Sequence, residues 1–248
     1  MIIVTRPSPY GEILTELCNH AGLSALHRPL FTIMPDEKLA LLPTQLSQLT
    51  PNDIVIIVSP QVINALQQWK TVIHFPTDLH YFTVGKSTAE LFTALTHCKV
   101  NYPILHEDSE GLIELIESNN IAIAKSRVLI LSGNVGRMLL HNYFESHNAT
   151  VIRYPCYQRS PINYATPFLA DNTQHHIIVI TSVEHLLQLE HYCQASDKLQ
   201  HHLVVSHQRI AHQAQLLGWQ HVTLSINANN QNLFKTIETL CHNTKIVR

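Results

Sequence analysis

The stretch DIVIIVSPQVINAL, Asp53 to Leu66, decides the fold. Ile54 to Val58 is aliphatic throughout, and a strand apolar on both faces belongs inside a parallel sheet covered on both sides. Serine follows at Ser59, then a helical pattern running through Trp69. The plan recurs in HIIVITSVEHLLQL, His176 to Leu189, whose helix runs on to Tyr192. IIVT (Ile2–Thr5), YFTVG (Tyr81–Gly85), VLILSG (Val128–Gly133) and HLVVS (His202–Ser206) each lead from a strand to a helix as well. The helix after VLILSG is expected near Arg137–His147. Gly218 ends a helix, HVTLS follows, and a last helix covers about Asn230–His242. Such alternation makes right-handed strand–helix–strand units. The fold class is α/β.

The chain also resembles itself in a crossed order. IIVTRPSPYGEILTELCNHAGLSALHRP pairs with VLILSGNVGRMLLHNYFESHNATVIRYP, and DIVIIVS…YFTVGKSTAEL pairs with HIIVITS…HLVVSHQRIAHQA. The expected architecture is therefore two similar parallel-sheet, flavodoxin-like domains joined by a two-stranded linker, the first domain discontinuous. The first would hold residues 1–34 plus 157–248 and the second 35–156, with linkers near 28–35 and 152–158. The alternative is one sheet of about eight or nine strands, within the range of large α/β sheets.

Composition narrows the function. With 248 residues, 45% apolar and 14% charged, the chain can bury real cores. A net charge of −2 offers no broad basic face to nucleic acid or membrane. No run approaches the roughly 20 apolar residues of a spanning helix. The start lacks the charged and apolar regions of a signal peptide. Five scattered cysteines, none in C-x-x-C, fit a reduced, cytoplasmic setting. The 18 histidines include no pair three or four apart, so no metal site is expected.

Ligands of open α/β sheets bind beyond the carboxyl ends of the strands. Those ends carry Thr5-Arg6, Ser59-Pro60, Gly85-Lys86-Ser87-Thr88, Ser132-Gly133-Asn134, Thr181-Ser182 and Ser206-His207-Gln208-Arg209. Each precedes a helix, whose free N–H groups and dipole favour an anion. Arg137 is expected one turn into a further helix. Ordinary N-capping explains any one turn equally well; the recurrence of Arg6, Lys86 and Arg209 points to anions. GKST is not a nucleotide loop, because G-x-x-x-x-G-K-[ST] requires glycine where His80 stands. G-x-S-x-G is absent. Glu107, Asp108 and Glu110 read as a solvated turn. Tyr157 sits at the expected crossover between domains, either functional or a half-buried linker residue.

Taken in order, VTRPSPYGEIL, VSPQVINAL, FTVGKSTA, LILSGNVGRMLL, VIRYPCYQR, VITSVEHL and VVSHQRIAHQAQLLGW cover nearly the whole chain and resemble the uroporphyrinogen-III synthase family. The resemblance implies a cytoplasmic, cofactor-free enzyme of tetrapyrrole and haem biosynthesis. Its small-molecule substrate would be hydroxymethylbilane, closed with loss of water and inversion of ring D in an interdomain cleft. It implies a monomer and leaves room for transient contact with hydroxymethylbilane synthase. By the same resemblance Tyr157 would assist the departing hydroxyl. Ser59, Thr88 and Ser182 match hydroxyl positions, while Arg6, Gly133, Asn134 and Arg137 match turn motifs that serve carboxylate binding or turn geometry. Thr5, Lys86, Ser87 and Arg209 complete the expected substrate-binding set. At Ser206–Arg209 some members of the family have a glycine- and threonine-bearing turn, where this chain has Ser-His-Gln-Arg. The rival reading is a two-lobed binding module for a small anionic ligand.

Overall fold

The computed structural model describes residues 1–165, 168–169 and 175–246. In chain order, β1 is Ile2–Val4, α1 Tyr10–His20, β2 Ala25–His27 and β3 Phe31–Pro35. A 3-10 turn over Glu37–Leu41 leads to α2 (Leu42–Leu46), β4 (Ile54–Ile57), α3 (Pro60–Gln67), β5 (His80–Thr83) and α4 (Lys86–Thr96). Then come β6 (Val100–Asn101), α5 (Ser109–Ser118), β7 (Arg127–Gly133), α6 (Leu139–Ser146) and β8 (Thr150–Pro161). The chain closes with β9 (Ile177–Ile180), α7 (Val183–Glu190), α8 (Ala195–Gln200), β10 (His202–Val205), α9 (Gln208–Leu216), β11 (His221–Leu224) and α10 (Asn230–Ile246). It divides into two compact units, Met1–Thr32 with Ser160–Arg248, and Ile33–Arg159.

Among the described residues the first unit holds a five-stranded sheet in the order β11-β10-β9-β1-β2, all parallel. Numbered within the unit this is 2-1-3-4-5, the flavodoxin-like order. The second holds a six-stranded sheet, β3-β8-β7-β4-β5-β6. Its parallel part, β8-β7-β4-β5-β6, repeats the first order with β7–β8 in place of β1–β2. The same topology is thus built from a permuted chain, which accounts for the crossed self-similarity. Edge strand β3 runs against β8, with Asp36 N–H donating to the Cys156 carbonyl.

Each sheet buries both faces. Ile54 and Ile56 pack with Leu112, Ile116, Leu140 and Phe144, while Val55 and Ile57 pack with Val62, Leu66 and Phe92. In the first unit Ile178 and Ile180 face α7 and α9, whereas Val179 and Val204 face α1 and α10. Burying each such side chain contributes about 1.5–3 kcal/mol, so the aliphatic runs leave their strands nowhere but the middle of the sheets.

Two local expectations change. Arg137 lies in the connection before α6, not in its first turn, because β7 gives way to an irregular turn in which Gly136 has φ +159°. The Glu107–Glu110 stretch is no solvated turn. Asp108 caps α5, its Oδ1 accepting the Gly111 N–H at 2.8 Å, an N-terminal role to which carboxylates are suited.

Candidate functional site

The strand order reverses between β1 and β9 in one unit and between β7 and β4 in the other. At such switch points the connections leave in opposite directions and open a crevice beyond the strand ends. Thr5 and Ser182 stand at the first; Ser59 and Gly133 stand at the second.

Most expected residues of the first unit serve the chain itself. Thr5 is fully buried and its hydroxyl donates to the Val179 carbonyl at 2.6 Å, joining β1 to β9. Ser182 caps α7, accepting the His185 N–H at 3.2 Å. The Arg6 guanidinium donates to Asn230 Oδ1 and lies 5.5 Å from the centre of the Tyr10 ring. Burial lowers its pKa to about 10, so it remains cationic at neutral pH. Arg209 is exposed in the first turn of α9.

In the second unit Ser59 is extended and caps α3, accepting the Gln61 N–H at 3.1 Å, with Pro60 as first helical residue. Proline suits that position because its φ is preset and it lacks an orphan N–H. At GKST a carboxylate from the same unit occupies the helix start: Glu107 Oε2 accepts the Lys86 N–H at 2.9 Å. Gly85 makes room for it, since a Cβ there would stand 2.6 Å from that oxygen. The Lys86 ammonium is 3.7 Å from Glu90, Ser87 is exposed and Thr88 is buried on the inner face of α4. Arg137 makes a two-pronged bond to Glu110, one arm at 2.8 Å.

Gly133, Asn134 and Tyr157 come together. A bulge at Ser132/Gly133 sets Gly133 opposite Tyr157. A Cβ at residue 133 would lie 2.6 Å from the Tyr157 ring, so only glycine lets the phenol lie across the strand end. Asn134 N–H donates to the Tyr157 carbonyl at 2.9 Å, and Asn134 Oδ1 accepts the Arg159 N–H at 2.9 Å. Tyr157 is 4% exposed, and its hydroxyl makes no hydrogen bond among the described residues. A cavity of about 480 Å³ opens beside this turn, lined by Ser132, Gly133 and Asn134 together with Lys38, Arg153 and Gln158. The last three were not expected. Their one signal was an arginine inside the otherwise apolar strand ATVIRYP.

Among the described residues no three His, Cys, Asp or Glu side chains gather as metal ligands, and no helix is long and apolar enough to cross a membrane. The fold and site define a class: an α/β protein of two permuted parallel sheets, with capped helix starts and cations gathered at the strand ends. The family model described as uroporphyrinogen-III synthase HemD matches residues 12–235. The chain is 34% identical to the uroporphyrinogen-III synthase of Escherichia coli K12, with 96% of this chain and 99% of that protein covered. It is 33% identical to that of Salmonella typhimurium LT2, with the same coverage. Solved structures of uroporphyrinogen III synthases from Thermus thermophilus and Helicobacter pylori superpose with TM-scores of 0.65 and 0.61. Their identities are 12% and 16%, over 98% and 96% of this chain and 98% of each neighbour; they speak to the fold. This chain belongs to the uroporphyrinogen-III synthase family.

Proposed function

We propose that the protein converts hydroxymethylbilane to uroporphyrinogen III, closing the ring with loss of water and inverting ring D, in haem biosynthesis. Membership of the family over nearly the full chain carries this reading. The chemistry agrees with it. The substrate has eight carboxylates, and helix starts and cations at strand ends suit many anions without a high net charge. No electrons are gained or lost overall, so no redox cofactor is called for. Uncatalysed closure gives the non-inverted isomer I, so the enzyme's main task is to hold a folded conformation. We assign such turns to the substrate's carboxylates, the protein acting as a monomer.

In this reading Tyr157 donates a hydrogen bond or proton to the hydroxyl that leaves as water. The resulting azafulvene is attacked by the substituted carbon of ring D, and the spiro intermediate fragments and recloses. Tyr157 suits the role because Gly133 holds its ring while nothing described claims its hydroxyl. Mixing the protein with fresh hydroxymethylbilane, oxidising and separating isomers tests the reaction; predominance of isomer I would overturn it. Tyr157→Phe should lower kcat roughly 10²-fold, the lower range of acid–base contributions, with an unchanged melting temperature. Wild-type turnover would remove the role.

A further inference from the structure

The cations of the second unit differ in what they touch. Arg137 is held by Glu110, Lys86 stands near Glu90, and Arg127 donates to the Gln48 carbonyl at 2.6 Å. Arg153 is different. It lies in β8 opposite Ile130 of β7, half-buried. Among the described residues its guanidinium has one hydrogen-bond partner, the Met138 sulfur at 2.8 Å, and no ion pair. A thioether is a weak acceptor, so most of the guanidinium's donors stay available to a ligand. Nη2 lies 3.7 Å from where a Cβ of Gly136 would stand, so the guanidinium lies across the irregular turn after β7. That turn and Arg153 line the 480 Å³ cavity, a volume within the range of small-molecule sites.

Two carboxylates line the same cavity: Glu37 is exposed at the start of the 3-10 turn, and Asp36 is buried and committed elsewhere. Asp36 accepts the Lys38 N–H at 2.9 Å and the Gln158 amide at 3.3 Å. Lys38 also lines the cavity, and its ammonium makes no ion pair or hydrogen bond among the described residues.

We propose that Arg153 binds one carboxylate of the substrate in this cavity, beside the Gly133–Asn134 turn, with Lys38 adding charge at its rim. The assignment rests on the reading of the protein as a tetrapyrrole cyclase and names a binding residue for it. A guanidinium fork takes a carboxylate through two parallel hydrogen bonds, which an ammonium cannot reproduce.

Steady-state kinetics of the wild type, Arg153→Met and Arg153→Lys test it, each with isomer analysis and a melting curve. Arg153→Met should raise KM roughly 10–100-fold, the range for a hydrogen bond to a charged group, with kcat changed less than about threefold. Arg153→Lys should fall between, and it carries the test if the methionine variant does not fold. Wild-type KM should rise with salt more steeply than that of Arg153→Met. Wild-type KM in the folded variants overturns the assignment, as does a loss confined to kcat and melting temperature. If the wild type itself gives isomer I, the cyclase reading falls and the Arg153 assignment with it. Isomer III from the wild type with unmoved variants sinks Arg153 alone.

Discussion

The two sheets are pinned at their entrance edges by different chemistry. In the second unit one buried carboxylate does it. Asp53 Oδ1 accepts the Arg127 N–H at 2.7 Å, and Oδ2 accepts the Thr50 N–H at 2.7 Å and the Thr50 hydroxyl at 3.1 Å. Its carbonyl takes the His80 N–H at 3.1 Å, so one residue ties the starts of β4, β5 and β7. In the first unit imidazoles stand at the same edge. His201, 0% exposed, accepts the His176 N–H on Nδ1 at 3.3 Å, and the two rings are 4.9 Å apart. His202 Nε2 lies 2.8 Å from the Thr223 hydroxyl, with its ring stacked on His221. The same task is thus given to an anion in one sheet and to neutral rings in the other. A ring nitrogen that accepts a backbone N–H cannot also carry a proton, which makes the first edge the acid-sensitive one.

The largest test of that contrast removes the carboxylate. Asp53→Ala takes the acceptor from the part-buried N–H groups of Thr50 and Arg127 and should cost about 2 kcal/mol, since a hydrogen bond to a charged group contributes about 1.5–3 kcal/mol. Equilibrium urea unfolding measures it. A loss well below about 1.5 kcal/mol, the floor for one such bond, would mean that Asp53 does not pin the edge.

Acid tests the other side. Burial lowers the pKa of His201, with His176 adding to the shift, and burial lowers that of His202, with His221 adding. Asp197 Oδ1, 3.9 Å from His201 Nε2, opposes the shift, while His175 and the N-terminal amine reinforce it. The unfolded chain takes these protons near pH 6.5 and the folded one only at lower pH. Stability is therefore complete above about pH 6.5 and drains as pH falls below it, by up to about 1.4 kcal/mol per histidine between about pH 7.5 and 5.5. Hydrogen exchange at the two pH values should show β9 and β10 losing protection before β4 and β7. His201→Gln should flatten the slope. Earlier loss in β4 and β7 would break the contrast.

The smallest effect concerns the outlet edges. The α4 start of the second unit is capped by the distant Glu107, while α7 of the first is capped by its own Ser182. Glu107→Ala should cost about 1 kcal/mol, the usual loss of a cap. A thermal melt shifted by a few degrees would agree; no shift would mean the contact contributes nothing.

The elements that positioned the site were legible where local pattern and burial agree. Ile54–Val58 and Ile177–Ile180 could only be central strands, and Ser59 and Ser182 were readable as caps. The α5 helix was missed because its acidic start looked like solvated surface, whereas Asp108, Glu110 and Glu107 satisfy a helix, an arginine and another helix start. Lys86 and Arg137 carried the right charge for anion binding, but sequence does not say which charges meet. Glu107 and Glu110 are near neighbours in the chain, and the fold brings one to residue 86 and the other to residue 137.

The sequence by itself determined the α/β class, the helix starts at the strand ends and the resemblance that led to the family. These follow from the period of apolar residues and from residue chemistry, both local. Only the tertiary structure decided which of those helix starts and cations the chain uses for itself and which meet a cavity. It set Tyr157 on Gly133, gave Lys86 and Arg137 carboxylates from the same unit, and left Arg153 facing open volume with a thioether. Such pairings depend on through-space distances of a few ångströms between residues tens of positions apart, and no local pattern records them.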